Sequence, residues 1–171
     1  MYADPDFVDK TTLFQGDIID DFPFYNFENS YPIKKDAGGR FELDGDDNSD
    51  RSVLAVETKK QKVIILSQTC DIQRRSNVIV CPVYELKEVV DGGAINLKRV
   101  EALKSRRIYY WFYLPEFQVL QESFADLQTM VYVPRDIIEK YVTKRAVSLS
   151  DLGRHHLAWS LATYFGRPAE E

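Results

Sequence analysis

Two short runs near the middle of the chain constrain its fold most. Residues 62–66 (KVIIL) and 78–83 (VIVCPV) are almost continuously apolar and rich in β-branched side chains, the pattern of strands covered on both faces. A polar connection, residues 68–77, joins them, which predicts a hairpin with a generous loop. Centring that hairpin between residues 73 and 74 places Cys81 opposite Leu66, four residues or roughly 13 Å from Cys70. Disulfide Cα atoms must approach within about 7 Å, so this register excludes a Cys70–Cys81 bond.

Further strands are expected around the pair. One starts after Gly16 and ends by Pro23, which cannot donate to a ladder. Residues 51–57 alternate, 108–114 (IYYWFYL) form an aromatic strand closed by Pro115, and 128–133 form another ended by Pro134. Leu97, Val100 and Leu103 make a short amphipathic helix within residues 95–104. The clearest element is the C-terminal helix, residues 148–166. Ser148 or Ser150 caps it, Leu157, Leu161, Tyr164 and Phe165 form its apolar stripe, and Gly166 and Pro168 stop it. The expected class is α+β, mainly β. About six strands make a small curved barrel, with a short mid-chain helix and the long terminal helix packed on one face.

At 171 residues and 44% hydrophobic, the chain is sized for one domain, residues 1–171. Two cysteines exclude a disulfide scaffold. No apolar run reaches the ~18 residues that span a bilayer, and residues 1–10 hold three aspartates without an apolar stretch, unlike a signal peptide. The expectation is a cytoplasmic protein with no membrane partner. Charge is unevenly spread: residues 1–58 hold fourteen acids against five bases, and residues 59–171 thirteen against seventeen. Much of the acidity lies in residues 26–51, where five acids fall within nine residues among Gly, Asn and Ser. That segment reads as a flexible, solvated acidic insertion.

Three segments taken in order resemble the MazF/PemK family of toxins. Gly16-Asp17-Ile18-Ile19 resembles the family's opening strand. Residues 62–67 (KVIILS) and 78–84 (VIVCPVY) resemble its two central strands, including the closing serine and the internal proline. Phe124-Ala125-Asp126 leading into Val131, followed by residues 148–166, resembles its late strand and final helix. The resemblance covers about half the chain and implies an SH3-like β-barrel. Its members commonly cleave single-stranded RNA with an arginine and a threonine, whose positions are here Gln61 and Tyr84. Glutamine carries no fixed charge for a developing phosphorane, so the fold can be present without the chemistry.

Several groups carry candidate chemistry. Ser67, Gln68, Thr69, Cys70 and Asp71 follow the first central strand directly, with Arg74 and Arg75 next in the loop. A polar cluster at the end of a buried strand has rigid support and an open side. On the barrel reading the loop sits beside Tyr84 and Glu85. The candidate catalytic set is therefore Asp71, Arg74 and Tyr84, with Ser67, Gln68, Thr69, Cys70 and Arg75 as ligand-binding groups. The plainer reading is that these residues terminate a strand and bond its turn. Cys70 as a nucleophile would need His155 or His156 as its base, and adjacent helix positions point about 100° apart.

Lys98, Arg99, Lys104, Arg106 and Arg107 lead into Tyr109, Tyr110 and Trp111. Arginines on phosphates and rings under bases hold single strands, which makes Arg106 and Arg107 candidate nucleic-acid contacts. The plainer reading is a surface helix entering a core strand. Asp44, Asp46, Asn48 and Asp50 echo a calcium loop, but position six is Ser49 rather than glycine and position twelve Ala55 rather than glutamate. No Cys/His cluster has zinc spacing, and no cofactor is expected.

Two functions follow. The first is an RNA-facing protein of a toxin–antitoxin or phage-defence system, acting as a metal-independent endoribonuclease. The RNA 2′-hydroxyl would attack the adjacent phosphate, with Asp71 or Tyr84 moving protons and Arg74 or Arg75 stabilising charge. The second is a non-catalytic interaction or accessory module on the same barrel. The resemblance also implies an antitoxin or other protein partner and homodimerisation. The acidic insertion would shield the basic part of the chain as an internal competitor for RNA.

Overall fold

The structure, a computed structural model, describes residues 1–35, 41–43 and 53–166, and the side chains of residues 1–24 and 58–166. Its strands are β1 (Asp17–Lys35), β2 (Phe41–Leu43), β3 (Val53–Ile65), β4 (Asn77–Glu85), β5 (Trp111–Leu114), β6 (Ser123–Asp126), β7 (Val131–Pro134) and β8 (Arg145–Ser148). Its helices are α1 (Thr69–Ile72), α2 (Leu86–Asp91), α3 (Leu97–Lys104), α4 (Arg135–Ile138) and α5 (Asp151–Gly166). The protein is thus α+β. Eight strands pair in the order β2-β1-β3-β4-β6-β5, with β7 on β4 and β8 on β1. All registered pairs are antiparallel, and those described do not close into a ring.

The central hairpin is present. Ile64 pairs with Cys81 and Ile65 with Val80, which centres it between residues 72 and 73 rather than 73 and 74. The loop is asymmetric because α1 takes up its first half, and Leu66 N and Ser67 N both donate to Ile79 O, at 2.9 and 3.4 Å. Cys70 is exposed, Cys81 is buried, and both are free thiols. The strands expected at 51–57 and 62–66 are one 13-residue strand, β3. Along its other edge β4 pairs first with β7 and then with β6. The strand expected at 128–133 begins only at Val131, because Asp126 caps a 3-10 turn, Leu127–Thr129, by accepting from Gln128 N.

The chain forms two units, Met1–Phe22 with Gln61–Glu171, and Pro23–Lys60. β1 does not stop at Pro23. Prolines within sheets sit at edges or irregularities, and here the register shifts between Ile18 and Ile19 and Asp21 takes φ +53°. In the second unit Ile33, Lys34 and Lys35 pair with Leu43, Glu42 and Phe41. Part of the segment expected as a flexible insertion is therefore strand. Its residues 36–40 and 44–51, including the calcium-like run, lie outside the described residues.

The core of the first unit gathers Ile18, Ile64, Leu114, Leu127, Leu149 and Leu157. Leu157 carries α5 into it and is fully buried. Leu161 and Tyr164 pack against the same cluster, but Phe165 is 67% exposed. At 3.6 residues per turn it points about 80° from Leu157. Leu97 likewise faces solvent while Leu103 is buried. Gly16 is required where β1 begins. Its φ is +83°, and an added Cβ would lie 2.8 Å from Leu149.

Beside Gly16 lies a buried ionic cluster. Asp17 accepts from Phe14 N at 2.8 Å and from Ser148 Oγ at 2.6 Å. Arg145 Nε lies 3.2 Å from Asp17 Oδ2 without hydrogen-bond alignment. Its other nitrogens donate to Asp9 O and Thr12 O at 2.9 and 2.5 Å. Arg145 thus ties β8 to the segment that precedes β1.

Candidate nucleic-acid interface

The polar loop after β3 spends most of its groups on its own turn. Ser67 Oγ accepts from Ile79 N at 2.8 Å and Thr69 Oγ from Gln15 N at 3.2 Å, while Gln15 Nε2 donates to Leu66 O at 2.9 Å. Gln68 stands at the N-cap of α1, and the Cys70 thiol lies 3.8 Å from Gln68 Oε1. Asp71 O accepts from Arg74 N and Arg75 N, and the Asp71 carboxylate meets Arg75 Nε only at 3.9 Å, in solvent. Ser67 and Thr69 thus bond neighbouring backbone, whereas the Gln68 side chain makes no cap bond and the Asp71 carboxylate stays in solvent.

Tyr84 does not join them. It lies seven positions along β4 from Asn77, about 23 Å at 3.3 Å per residue, whereas the loop enters β4 at the Asn77 end. An antiparallel ladder carries residue 84 away from its own connection, so Tyr84 and Glu85 do not sit beside the loop as the barrel reading expected. Tyr84 packs instead on Phe124, ring centroids 5.6 Å apart. At that end of the ladder Gln61 Nε2 donates to Val83 O at 2.6 Å. The nearby cation, Lys62, is held by Glu85 at 3.0 Å and Asp20 at 3.6 Å. The candidate catalytic set Asp71, Arg74 and Tyr84 is therefore not one constellation.

A different face gathers chemistry. Asn96 caps α3 by accepting from Arg99 N at 3.0 Å, which sets Arg99 on the first turn. The Arg99 guanidinium lies 4.7 Å from the centre of the Trp111 ring, and its Nη2 donates to the Tyr110 hydroxyl at 2.5 Å. Period-two alternation buries Phe112 and Leu114 and leaves Trp111 and Tyr113 half-exposed. Where α3, β5 and α5 meet lies a pocket of about 330 Å³, lined among others by Lys104, Arg106, Tyr109, Trp111 and Trp159. Trp159 is 64% exposed.

The cations here differ in how far they are engaged. Lys104 pairs with Glu122 at 2.7 Å, and Tyr113 donates to the same carboxylate. Burial alone would raise the Glu122 carboxyl, but these two hydrogen bonds hold it below its ordinary value. Arg107 Nε donates to Ser105 Oγ at 2.9 Å, and Arg106 Nη2 lies 3.3 Å from His156 Nδ1. His155 is exposed, and neither histidine approaches Cys70 in any described contact. Arg106 N donates to Leu103 O and Arg107 N to Ala102 O, the double bond of a Schellman motif. That motif puts Arg106 at φ +57°, where glycine is the favoured residue.

Keeping arginine there costs about 1 kcal/mol. Glycine relieves that strain but adds unfolded-state entropy worth about 0.4–1 kcal/mol. An Arg106→Gly variant is therefore expected to be more stable by at most about 1 kcal/mol and to melt slightly higher, while binding single-stranded nucleic acid more weakly. Differential scanning fluorimetry and fluorescence anisotropy read the two effects. A lower melting temperature would show that the side chain serves the fold.

Arg106 and Arg107 were legible in the basic stretch. The sequence signal for Trp159 is its position two residues from Leu157, which points it about 200° away from the buried stripe. Among the described residues no cluster of three His, Cys, Asp or Glu could hold a metal, and no helix is long and apolar enough to cross a membrane. No protein-family model matches the chain, and no curated protein is significantly similar to it.

Proposed function

We propose that this protein is an RNA-facing, non-catalytic accessory module of the MazF/PemK type, on an SH3-like sheet closed by its C-terminal helix. The observation that carries RNA binding is the stack of Arg99 on Trp111, flanked by exposed Arg106, Arg107 and Trp159. Guanidinium groups meet phosphates bidentately, and aromatic faces accept bases of any sequence. The absence of catalysis is argued from the dispersal of Asp71, Arg74 and Tyr84, and from Gln61 where the family has its arginine. The toxin–antitoxin or phage-defence setting follows from the family resemblance.

Two measurements test the reading. A fluorescein-labelled single-stranded RNA 12-mer should bind saturably, with an affinity that falls as salt rises, about 0.7 in log–log slope for each phosphate contacted. Overproduction in a bacterial host should leave growth and total RNA intact, and Asp71→Ala and Arg74→Ala should change neither. No RNA binding at 50 mM salt would remove the RNA reading. Growth arrest with RNA decay, lost in those two variants, would restore the endoribonuclease.

A further inference from the structure

Trp111 also lines a second pocket, of about 430 Å³, whose wall has the opposite charge. Three rings frame it. Trp111 and Tyr84 stand 4.5 and 5.6 Å from Phe124, centroid to centroid. Val89, Ala94 and Ile95 complete an apolar wall, and the charged residues lining it are Asp126 and Glu88. Among the described residues no lysine or arginine lines it.

The rings and the two acids of the wall select the ligand. The Asp126 carboxylate accepts from Gln128 N at 3.0 Å and interacts with the Trp111 side chain, while Thr129 Oγ1 donates to the Asp126 main-chain carbonyl at 3.1 Å. A carboxylate has about four acceptor sites, so part of its hydrogen-bonding capacity is already engaged. Burial pushes this carboxyl up, and those hydrogen bonds offset burial only in part. Asp126 and Glu88 together make this wall negative. An anion would be repelled by both acids, and a primary ammonium, compact and strongly hydrated, would have to shed water against three rings and an apolar wall. A quaternary ammonium spreads its charge over methyl groups, needs no acceptor and is attracted by ring faces.

We propose that this pocket binds a quaternary ammonium group, carried by a small molecule or by a trimethylated lysine side chain. The site shares Trp111 with the proposed RNA face, but its ligand class does not depend on the RNA reading. Arg99, the cation already on Trp111, is absent from its lining. Removing Arg99 therefore takes away a repelling charge near this pocket and a phosphate contact of the proposed RNA face.

The test uses the full chain with Trp159→Phe, which leaves Trp111 as the one indole of the two. Its emission is followed during titration with choline, with the uncharged isostere 3,3-dimethylbutan-1-ol, and with Nα-acetyl-trimethyllysine amide, at constant ionic strength. Choline should saturate in the millimolar range, and the isostere should bind about 10-fold more weakly. Asp126→Asn should weaken choline by about 10-fold, and the milder Glu88→Gln by about 3-fold. Arg99→Ala should bind choline at least as well as its parent. Tighter binding of the lysine derivative than of choline identifies a protein side chain as the ligand, and the reverse order a small molecule. Equal binding of choline and its isostere, or no saturation by either ammonium, would overturn the proposal without needing any charge-removing variant to fold.

Discussion

An Arg145→Ala variant is expected to lose about 3–5 kcal/mol of stability at pH 7, the usual cost of leaving a buried charge without its partner. The Asp17 side chain is fully buried and that of Arg145 only 9% exposed, so solvent screens the pair little. Removing the guanidinium also frees Asp9 O and Thr12 O, which it holds at 2.9 and 2.5 Å. Burial raises the Asp17 carboxyl above its ordinary value, while Ser148 and Arg145 pull it down. Without Arg145 it rises further. A carboxyl whose folded-state pKa exceeds its unfolded value holds its proton in the folded protein over a window starting near 3.8. Stability falls as pH rises across that window.

The deficit of the variant should therefore be larger at pH 7 than at pH 5, read by urea unfolding of both proteins at each pH. Adding Asp17→Asn should recover part of it, since no buried charge then remains. A deficit below about 1 kcal/mol, or one equal at both pH values, would contradict this account.

The second large effect is on RNA. Replacing Arg99, Arg106 and Arg107 together by alanine should weaken the single-stranded 12-mer by about 30- to 100-fold, or 2–3 kcal/mol, because each charge-assisted contact at an exposed site contributes around 1 kcal/mol. The slope of log affinity against log salt should fall by about 2. Lys104 is the internal control. Its ammonium is committed to Glu122 at 2.7 Å, so Lys104→Ala should change affinity by less than the removal of any one arginine. If the triple variant binds as the parent does, RNA does not use this face.

Much of the fold was readable in advance. The hairpin of β3 and β4, the aromatic β5 and the helix ending at Gly166 are each announced by residues next to one another in the chain, because strand and helix periods are local. Several short elements were not. α2, α4 and β8 span six, four and four residues, too few for a periodic pattern to emerge. The continuation of β1 past Pro23 rests on an irregular backbone at Asp21 that no residue type announces. The candidate site divided the same way. Arg106 and Arg107 stood out as charge beside aromatics, whereas the Asp71, Arg74 and Tyr84 set relied on barrel closure to bring together groups that the hairpin separates.

By itself the sequence determined the longer strands and helices, such as the β3–β4 hairpin and the terminal helix, and where basic and aromatic residues run together. Only the tertiary structure decided that Arg99 lies on Trp111, that Arg106 occupies a left-handed position beside α5, and that Trp111 divides a basic pocket from an acidic one. Periodicity depends on neighbours in the chain. The partners of a side chain depend on how separate elements pack, and here α3, β5, β6 and α5 meet across as many as 60 or so residues, a distance over which no local pattern carries information.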